Sequence, residues 1–124
     1  MFEWTLGNAY NIVITLYPNN ITLNSFAGSY FNDVRYCILG LDCENYQLAI
    51  KPISKNEIET KAIKIENLHK VSIGKGYARI SNKNIINDIS SLLNLEIISQ
   101  KFSGTYNERE NMLIIDLKIK DKEI

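Results

Sequence analysis

The residues best suited to chemistry are four cations in a stretch without acidic side chains. Between residues 67 and 87 there is no Asp or Glu, and the basic residues there are Lys70, Lys75, Arg79 and Lys83. Lys75 stands between two glycines, which predicts a turn whose backbone can approach a phosphate closely. Arg79 on the adjoining strand and Lys83 in a first helical turn would flank it, with Lys70 peripheral. The pattern predicts salt-dependent, largely sequence-independent contacts with nucleic-acid phosphates.

The same four cations also fit an ordinary solvated strand face, because surface lysines need no ligand. The segment Gly74-Lys75-Gly76 is not a P-loop, since the rest of that motif's spacing is absent. The sequence therefore leaves two interpretations of the basic stretch open, a phosphate-contacting surface and a solvated face.

Catalytic and metal-binding patterns are weak. His69 is the one histidine of the chain, and it falls in a charged segment. Zinc sites need about four ligands, so Cys37 and Cys43 with a single histidine do not form one. The closely spaced carboxylates fall in predicted turns, at Asp42 with Glu44 and at Glu108 with Glu110. We expect no enzymatic activity, no metal and no small-molecule cofactor.

Composition describes an ordinary globular chain. Its 124 residues are 45% hydrophobic and 23% charged, and 14 basic residues balance 14 acidic ones. Net neutrality argues against a strongly basic, histone-like binder but allows a local basic face. The segment Met1-Phe2-Glu3-Trp4 lacks signal-peptide features, and no apolar run is long enough to span a membrane. A soluble cytoplasmic protein is the expectation.

The elements that must position these residues are predicted from period-two apolar patterns and turn residues. The expected strands are residues 12–16 and 21–23, 36–41 and 46–50, 71–73 and 77–80, and the arms of a hairpin over about residues 100–120 that turns at 107–110. Pro52 is expected to end the second hairpin.

Three helical segments are expected between the strands. Asn24 or Ser25 would cap a short helical or irregular stretch as far as residue 31. Ser54 has capping-box spacing to Glu57. Ser81 would cap a longer helix with one apolar face, formed by Ile85, Ile86, Ile89, Leu92 and Leu93.

The order of elements occurs twice along the chain. Four apolar residues of the first hairpin, Ile14, Leu16, Ile21 and Leu23, align without a gap over Val71, Ile73, Ala78 and Ile80. The closing hairpins align with Asn45 over Asn111. Since neither copy would bury its apolar face alone, we predict a β-rich α+β fold of two tandem β-α-β-hairpin repeats packed together. The repeats are residues 1–53 and 69–124, joined by a linker at 54–68.

The first copy resembles a known family in three segments, Ile21-Thr22-Leu23-Asn24, residues 36–41 and Leu48-Ala49-Ile50-Lys51-Pro52. They are similar to the swapped-hairpin barrel of the AbrB and SpoVT transcription regulators. Two copies in one chain are similar to the MraZ proteins. The chain departs from the family pattern, which usually has proline where Asn24 and Ser81 stand and more cations in its first strands.

The resemblance implies a non-enzymatic, transcription-regulator-like protein that binds double-stranded DNA and can pair with a second copy of itself. Because Arg35 is the only cation of the first copy before Lys51, the second copy is the expected DNA-binding half. The alternative is a protein-interaction or structural module of the same fold without nucleic-acid binding. Net neutrality favours this alternative.

Overall fold

A computed structural model describes residues 1–3, 11–31 and 34–118. Its main feature is one closed antiparallel barrel of eight strands in the order β1-β2-β6-β5-β3-β4-β8-β7. The strands are β1 Ile12–Tyr17, β2 Asn20–Leu23, β3 Tyr36–Asp42, β4 Gln47–Ile53, β5 His69–Gly74, β6 Tyr77–Ser81, β7 Gln100–Asn107 and β8 Met112–Asp116. The β-rich expectation is therefore confirmed, and closure leaves no long open sheet edge.

Four hairpins make up the barrel, and their arrangement is not sequential. The β1–β2 hairpin has β7 and β6 as its neighbours, whereas the β3–β4 hairpin has β5 and β8. The two hairpins within residues 12–53 therefore do not pair with each other. Apart from the ladder within each hairpin, every backbone ladder that these strands form is made with a strand from residues 69–116.

The core follows from alternation of apolar and polar residues along most of the strands. Every second residue of such a strand points into the barrel beside an inward residue of the neighbouring strand, as in Ile14 opposite Leu23 and Val71 opposite Ile80. All four of these side chains are fully buried. Burying an aliphatic side chain of this size contributes about 1.5–3 kcal/mol, so the barrel interior accounts for much of the stability. The described residues include no buried polar or charged side chain.

Within the described part of the chain, three α-helices connect or cover the strands. Helix α1, Ser25–Gly28, begins after Asn24, whose side chain accepts from the N–H of Ala27. Helix α2, Lys55–Glu59, carries the complete capping box expected at Ser54 and Glu57. Helix α3, Lys83–Leu93, buries Ile86 and Ile89.

Two local predictions are wrong. Helix α3 is capped by Asn82 and not by Ser81, because Ser81 still belongs to β6 and pairs with Asn20. Pro52 does not end β4 but lies within it, opposite Cys37. The β4–β8 ladder stops at Ile50, so beyond that point β4 has one neighbouring strand and the missing N–H of proline is tolerated.

The remaining strand predictions are confirmed within a residue or two at each end. The second arm of the last hairpin ends at Asp116, and residues 119 and 120 of that prediction lie outside the described residues. Within the described ranges, no helix has the length and apolar character needed to cross a membrane.

Candidate nucleic-acid interface

Five adjoining strands of the barrel carry no acidic residue. They are β7, β1, β2, β6 and β5. The tight turns that connect β1 to β2 and β5 to β6, at residues 18–19 and 75–76, contain no acidic residue either. Their outer surface holds Lys70, Arg79 and Lys101, and Lys75 lies at the β5–β6 turn. All four cations are exposed. We call this surface, with these four cations, the basic face.

A polar row crosses the basic face from strand to strand. Successive residue pairs in the ladders connect Lys101 to Thr15, Thr15 to Thr22, Thr22 to Arg79, and Arg79 to Ser72. Two cations thus lie in one row with three hydroxyl groups. Lysine, arginine, serine and threonine are the side chains that proteins use for phosphate contacts.

The β5–β6 hairpin has the turn that the two glycines predict. Lys75 and Gly76 form the turn, and Gly76 adopts a φ of 86°, which favours glycine. Tyr77 pairs with Gly74 across the ladder. A Cβ on Gly74 would lie 2.3 Å from Cζ and 2.7 Å from Oη of Tyr77, so the tyrosine ring lies directly over the glycine.

Arg79 also contacts this ring. The central carbon of its guanidinium is 5.2 Å from the centroid of Tyr77, a cation–π geometry. Both residues belong to the outer face of β6, where exposed positions alternate with the buried Ala78 and Ile80. The hairpin thus places an aromatic ring in contact with Arg79 and two residues along the chain from Lys75.

The four residues predicted from sequence are not all brought together. Lys75 and Lys83 lie beyond opposite ends of β6, whose five residues span about 17 Å. Lys83 is the first residue of α3 and is exposed. Lys70 lies on β5 opposite Tyr36 of β3, toward the Lys83 end. The cations therefore form an extended surface and not a single phosphate pocket.

Sequence reasoning missed Lys101. It lies far along the chain from the basic stretch, and it reaches the row only because β7 pairs with β1. A pairing between the first and the seventh strand has no local sequence signal. The absence of acidic residues from 11 to 31 was the available clue, because it removes negative charge from β1 and β2.

Carboxylates lie on the rest of the barrel and in its loops. Asp42 and Asp116 flank Gln47 in the β3–β4–β8 ladders. The pKa of Asp42 is lowered because its carboxylate accepts hydrogen bonds from the side chain and the backbone N–H of Asn45. This carboxylate therefore organises the β3–β4 turn, as expected for a solvated turn residue.

His69 lies at the seam between β3 and β5, which is only two residue pairs long. A groove of about 460 Å³ beside this seam is lined by His69, Asn82, Glu66, Asp88 and neighbouring residues. The Nδ1 atom of His69 is 3.0 Å from the side-chain nitrogen of Asn82. Among the described residues that line the groove there is no serine, threonine or cysteine, and the part of the chain that the structure describes holds no cluster of three metal-ligating side chains.

Comparison of the chain with protein-family models, with curated proteins and with solved structures found no match. Functional inference therefore rests on the barrel and its surface.

Proposed function

We propose that this chain is a non-enzymatic DNA-binding protein of the transcription-regulator type, acting in the cytoplasm, whose basic face contacts the phosphate backbone. The observation that carries the proposal is the run of five adjoining strands without an acidic residue. Lys75, Arg79 and Lys101 would make the central contacts, with Lys70 and Lys83 at the margin.

The charge distribution supports binding of a polyanion even though the chain has no net charge. Fields from exposed charges fade over about 10 Å at ordinary ionic strength, so carboxylates on the far side of the barrel are screened from a ligand on the basic face. Affinity would come from a few phosphate contacts and their released counterions. Such binding is weak at high salt and does not discriminate between sequences.

We further propose that the barrel consists of two copies of one strand-strand-helix-strand-strand unit, as in the AbrB-like fold. Strand order supports this: exchanging β1 to β4 with β5 to β8 reproduces the same set of neighbours around the barrel. In this proposal each half contributes two hairpins, and these interlock with the hairpins of the other half.

Residue pairing gives further support to two copies. Ile14 pairs with Leu23 and Leu16 with Ile21, and their aligned counterparts Val71 with Ile80 and Ile73 with Ala78 pair in the same way. The closing hairpins match best with Asp42–Gln47 over Asn107–Met112. Tyr46 and Asn111, both at φ near 55°, then coincide. This alignment differs by one residue from the sequence alignment, which placed Asn45 over Asn111.

Fluorescence anisotropy with a labelled random-sequence duplex, measured over a salt series, tests the DNA-binding proposal. We expect binding at low salt and a log-log slope of a few units. The variant Lys75→Ala/Arg79→Ala should weaken binding at every salt concentration and reduce that slope by roughly two. The matched control is Lys55→Ala/Lys64→Ala, which removes two exposed cations outside the basic face.

Equal effects of the two double variants would show that only total charge matters, and the basic face would lose its role. Absence of binding at low ionic strength would leave the cations as a solvated face. The chain would then be assigned to the alternative class, a protein-interaction module with the same barrel.

A further inference from the structure

We propose that the β5–β6 hairpin forms a base-stacking subsite, at which an unpaired nucleotide places its base on Tyr77 and Arg79. This inference rests on the proposed function, because the basic face would hold the backbone that carries the nucleotide. Its new content is the ligand class, which is single-stranded nucleic acid. A duplex would make only the backbone contacts.

Tyr77 points away from the core. Its side chain lies on the outside of the barrel, and the residue is 38% exposed. The ring stays against the sheet because Gly74 opposite has no side chain: a Cβ there would lie only 2.3 Å from Cζ. A ring held in this way loses little further conformational entropy when a planar group binds beside it.

Cationic residues lie near the ring in the same hairpin. Arg79 lies 5.2 Å from its centroid, and a guanidinium group both stacks on planar groups and donates paired hydrogen bonds to phosphate. Lys75 lies two residues before Tyr77 in the turn. A nucleotide arriving from solvent meets planar groups for its base and cations for its phosphate within one hairpin.

Exposed tyrosines are concentrated near the hairpin. Among the residues that the structure describes, the exposed tyrosines are Tyr17, Tyr36, Tyr46 and Tyr77. Tyr77 and Tyr17 belong to strands of the basic face, and Tyr36 pairs directly with Lys70 of that face. Aromatic rings alternating with cations along a groove or surface are the arrangement that binds single strands, because every base offers a face for stacking.

The subsite would distinguish single strands from duplexes. In a duplex both faces of a base are covered by its neighbours in the stack, so a ring lying flat on a strand surface has no access to them. An unpaired base can leave its stack and offer a free face. The alternative role of Tyr77 is to cover Gly74 within the sheet, as aromatic residues do opposite glycines. That role predicts no difference between ligands.

The test compares a labelled oligo-dT with a labelled duplex by fluorescence anisotropy at one low salt concentration and over a salt series. For Tyr77→Leu we expect about tenfold weaker binding of oligo-dT, with a clearly smaller loss of duplex binding and an unchanged salt slope. Tyr77→Phe should retain the affinity of the wild type. Gly74→Ala should also weaken oligo-dT binding, since it displaces the ring without removing it.

Tyr46→Leu is the matched control, because Tyr46 is 37% exposed but lies in the β3–β4 turn outside the basic face. Circular dichroism and thermal unfolding check that each variant keeps its barrel. Equal losses for Tyr77→Leu and Tyr46→Leu, or equal losses for both ligands, would overturn the subsite.

Wild-type behaviour separates the two proposals. If the protein binds duplex but not oligo-dT, the subsite is wrong and the proposed function stands. If it binds neither ligand, the proposed function fails and the subsite fails with it.

Discussion

At the scale of single residues, the two cysteines lie in opposite environments. Cys37 is on β3 with its side chain fully buried, and burial raises the pKa of its thiol to about 12. Cys43 is exposed in the turn that follows β3. The thiolate is the reactive form, so only Cys43 is expected to react in the folded protein.

This difference predicts the outcome of alkylation with iodoacetamide at about pH 8. The folded protein should gain one adduct, Cys43→Ser should gain none, and unfolding in denaturant should expose a second thiol. Intact-mass spectrometry over time measures each case. Alkylation of Cys37 at the rate of Cys43 in native buffer would show that β3 opens readily.

Local chemistry made several residues predictable from sequence. The turn at Lys75, a cap at either Asn24 or Ser25 and the capping box at Ser54 depend only on neighbours a few residues away, and the structure has the cap at Asn24. The partnership of Tyr77 with Gly74 was not foreseen, since it depends on strand register as well as on residue type. The signal was present in the two glycines, because a glycine opposite an aromatic residue on a hairpin leaves space for its ring.

At the scale of elements, Asn82 connects three parts of the fold. Its Oδ1 accepts from the N–H of Ile85 at the start of α3, and its backbone N–H donates to the carbonyl of Asn19. Since Oδ1 is already an acceptor, its amide NH₂ faces Nδ1 of His69 on β5. His69 must therefore accept through Nδ1, which requires the neutral imidazole.

Protonation of His69 should consequently destabilise the protein. Burial lowers the pKa of His69 in the folded state below its ordinary value of 6.5, so the unfolded chain binds the proton more readily. The free energy of unfolding is then at its full value above about pH 6.5 and falls as the pH drops through the folded-state pKa. Glu66 and Asp88 are the carboxylic side chains that line the same groove.

Urea unfolding at a series of pH values measures this effect. Asn82→Ala should cost about 1 kcal/mol at neutral pH through loss of the helix cap. Asn82→Asp keeps a capping oxygen and places a carboxylate beside the imidazole. The free energy of unfolding of this variant should therefore not decrease as the pH is lowered from 7 to the folded-state pKa of His69 in the wild type. A wild-type profile that is flat over this range would contradict the hydrogen-bond assignment.

Element boundaries show where sequence patterns lose their information. Helix α3 was predicted from its apolar face, but its cap was misplaced by one residue because Ser81 and Asn82 are both good capping residues. Strand pairing decides between them: Ser81 is held in β6 by Asn20. The prediction that Pro52 ends β4 was wrong for a similar reason. Only the β4–β8 ladder, which stops at Ile50, shows that a proline is tolerated at this position.

At the scale of the whole molecule, the sequence predicted the strands but not their neighbours. Period-two patterns and turns are local and identify four hairpins. Which hairpins adjoin one another depends on contacts between distant segments, such as β1 with β7. The basic face is a product of that arrangement, because Lys101 and Arg79 join one row only through β1 and β2.

The arrangement makes each half dependent on the other. The two hairpins of residues 12–53 do not pair with each other, and the β5–β6 and β7–β8 hairpins do not pair either. A half alone would consist of separate two-stranded hairpins, which are marginally stable in water. Residues 60–62, between α2 and β5, are exposed, so a break there would leave all barrel strands intact.

We therefore predict that fragments 1–61 and 62–124 are each unfolded alone and form a folded barrel when mixed. Amide dispersion in ¹H–¹⁵N spectra and far-UV circular dichroism should show disorder for each fragment and native-like signals for the mixture. The mixture should unfold in one transition whose midpoint rises with concentration, because folding is coupled to association. A fragment with its own cooperative transition would mean that one half builds a core without its partner, which the observed strand order does not allow.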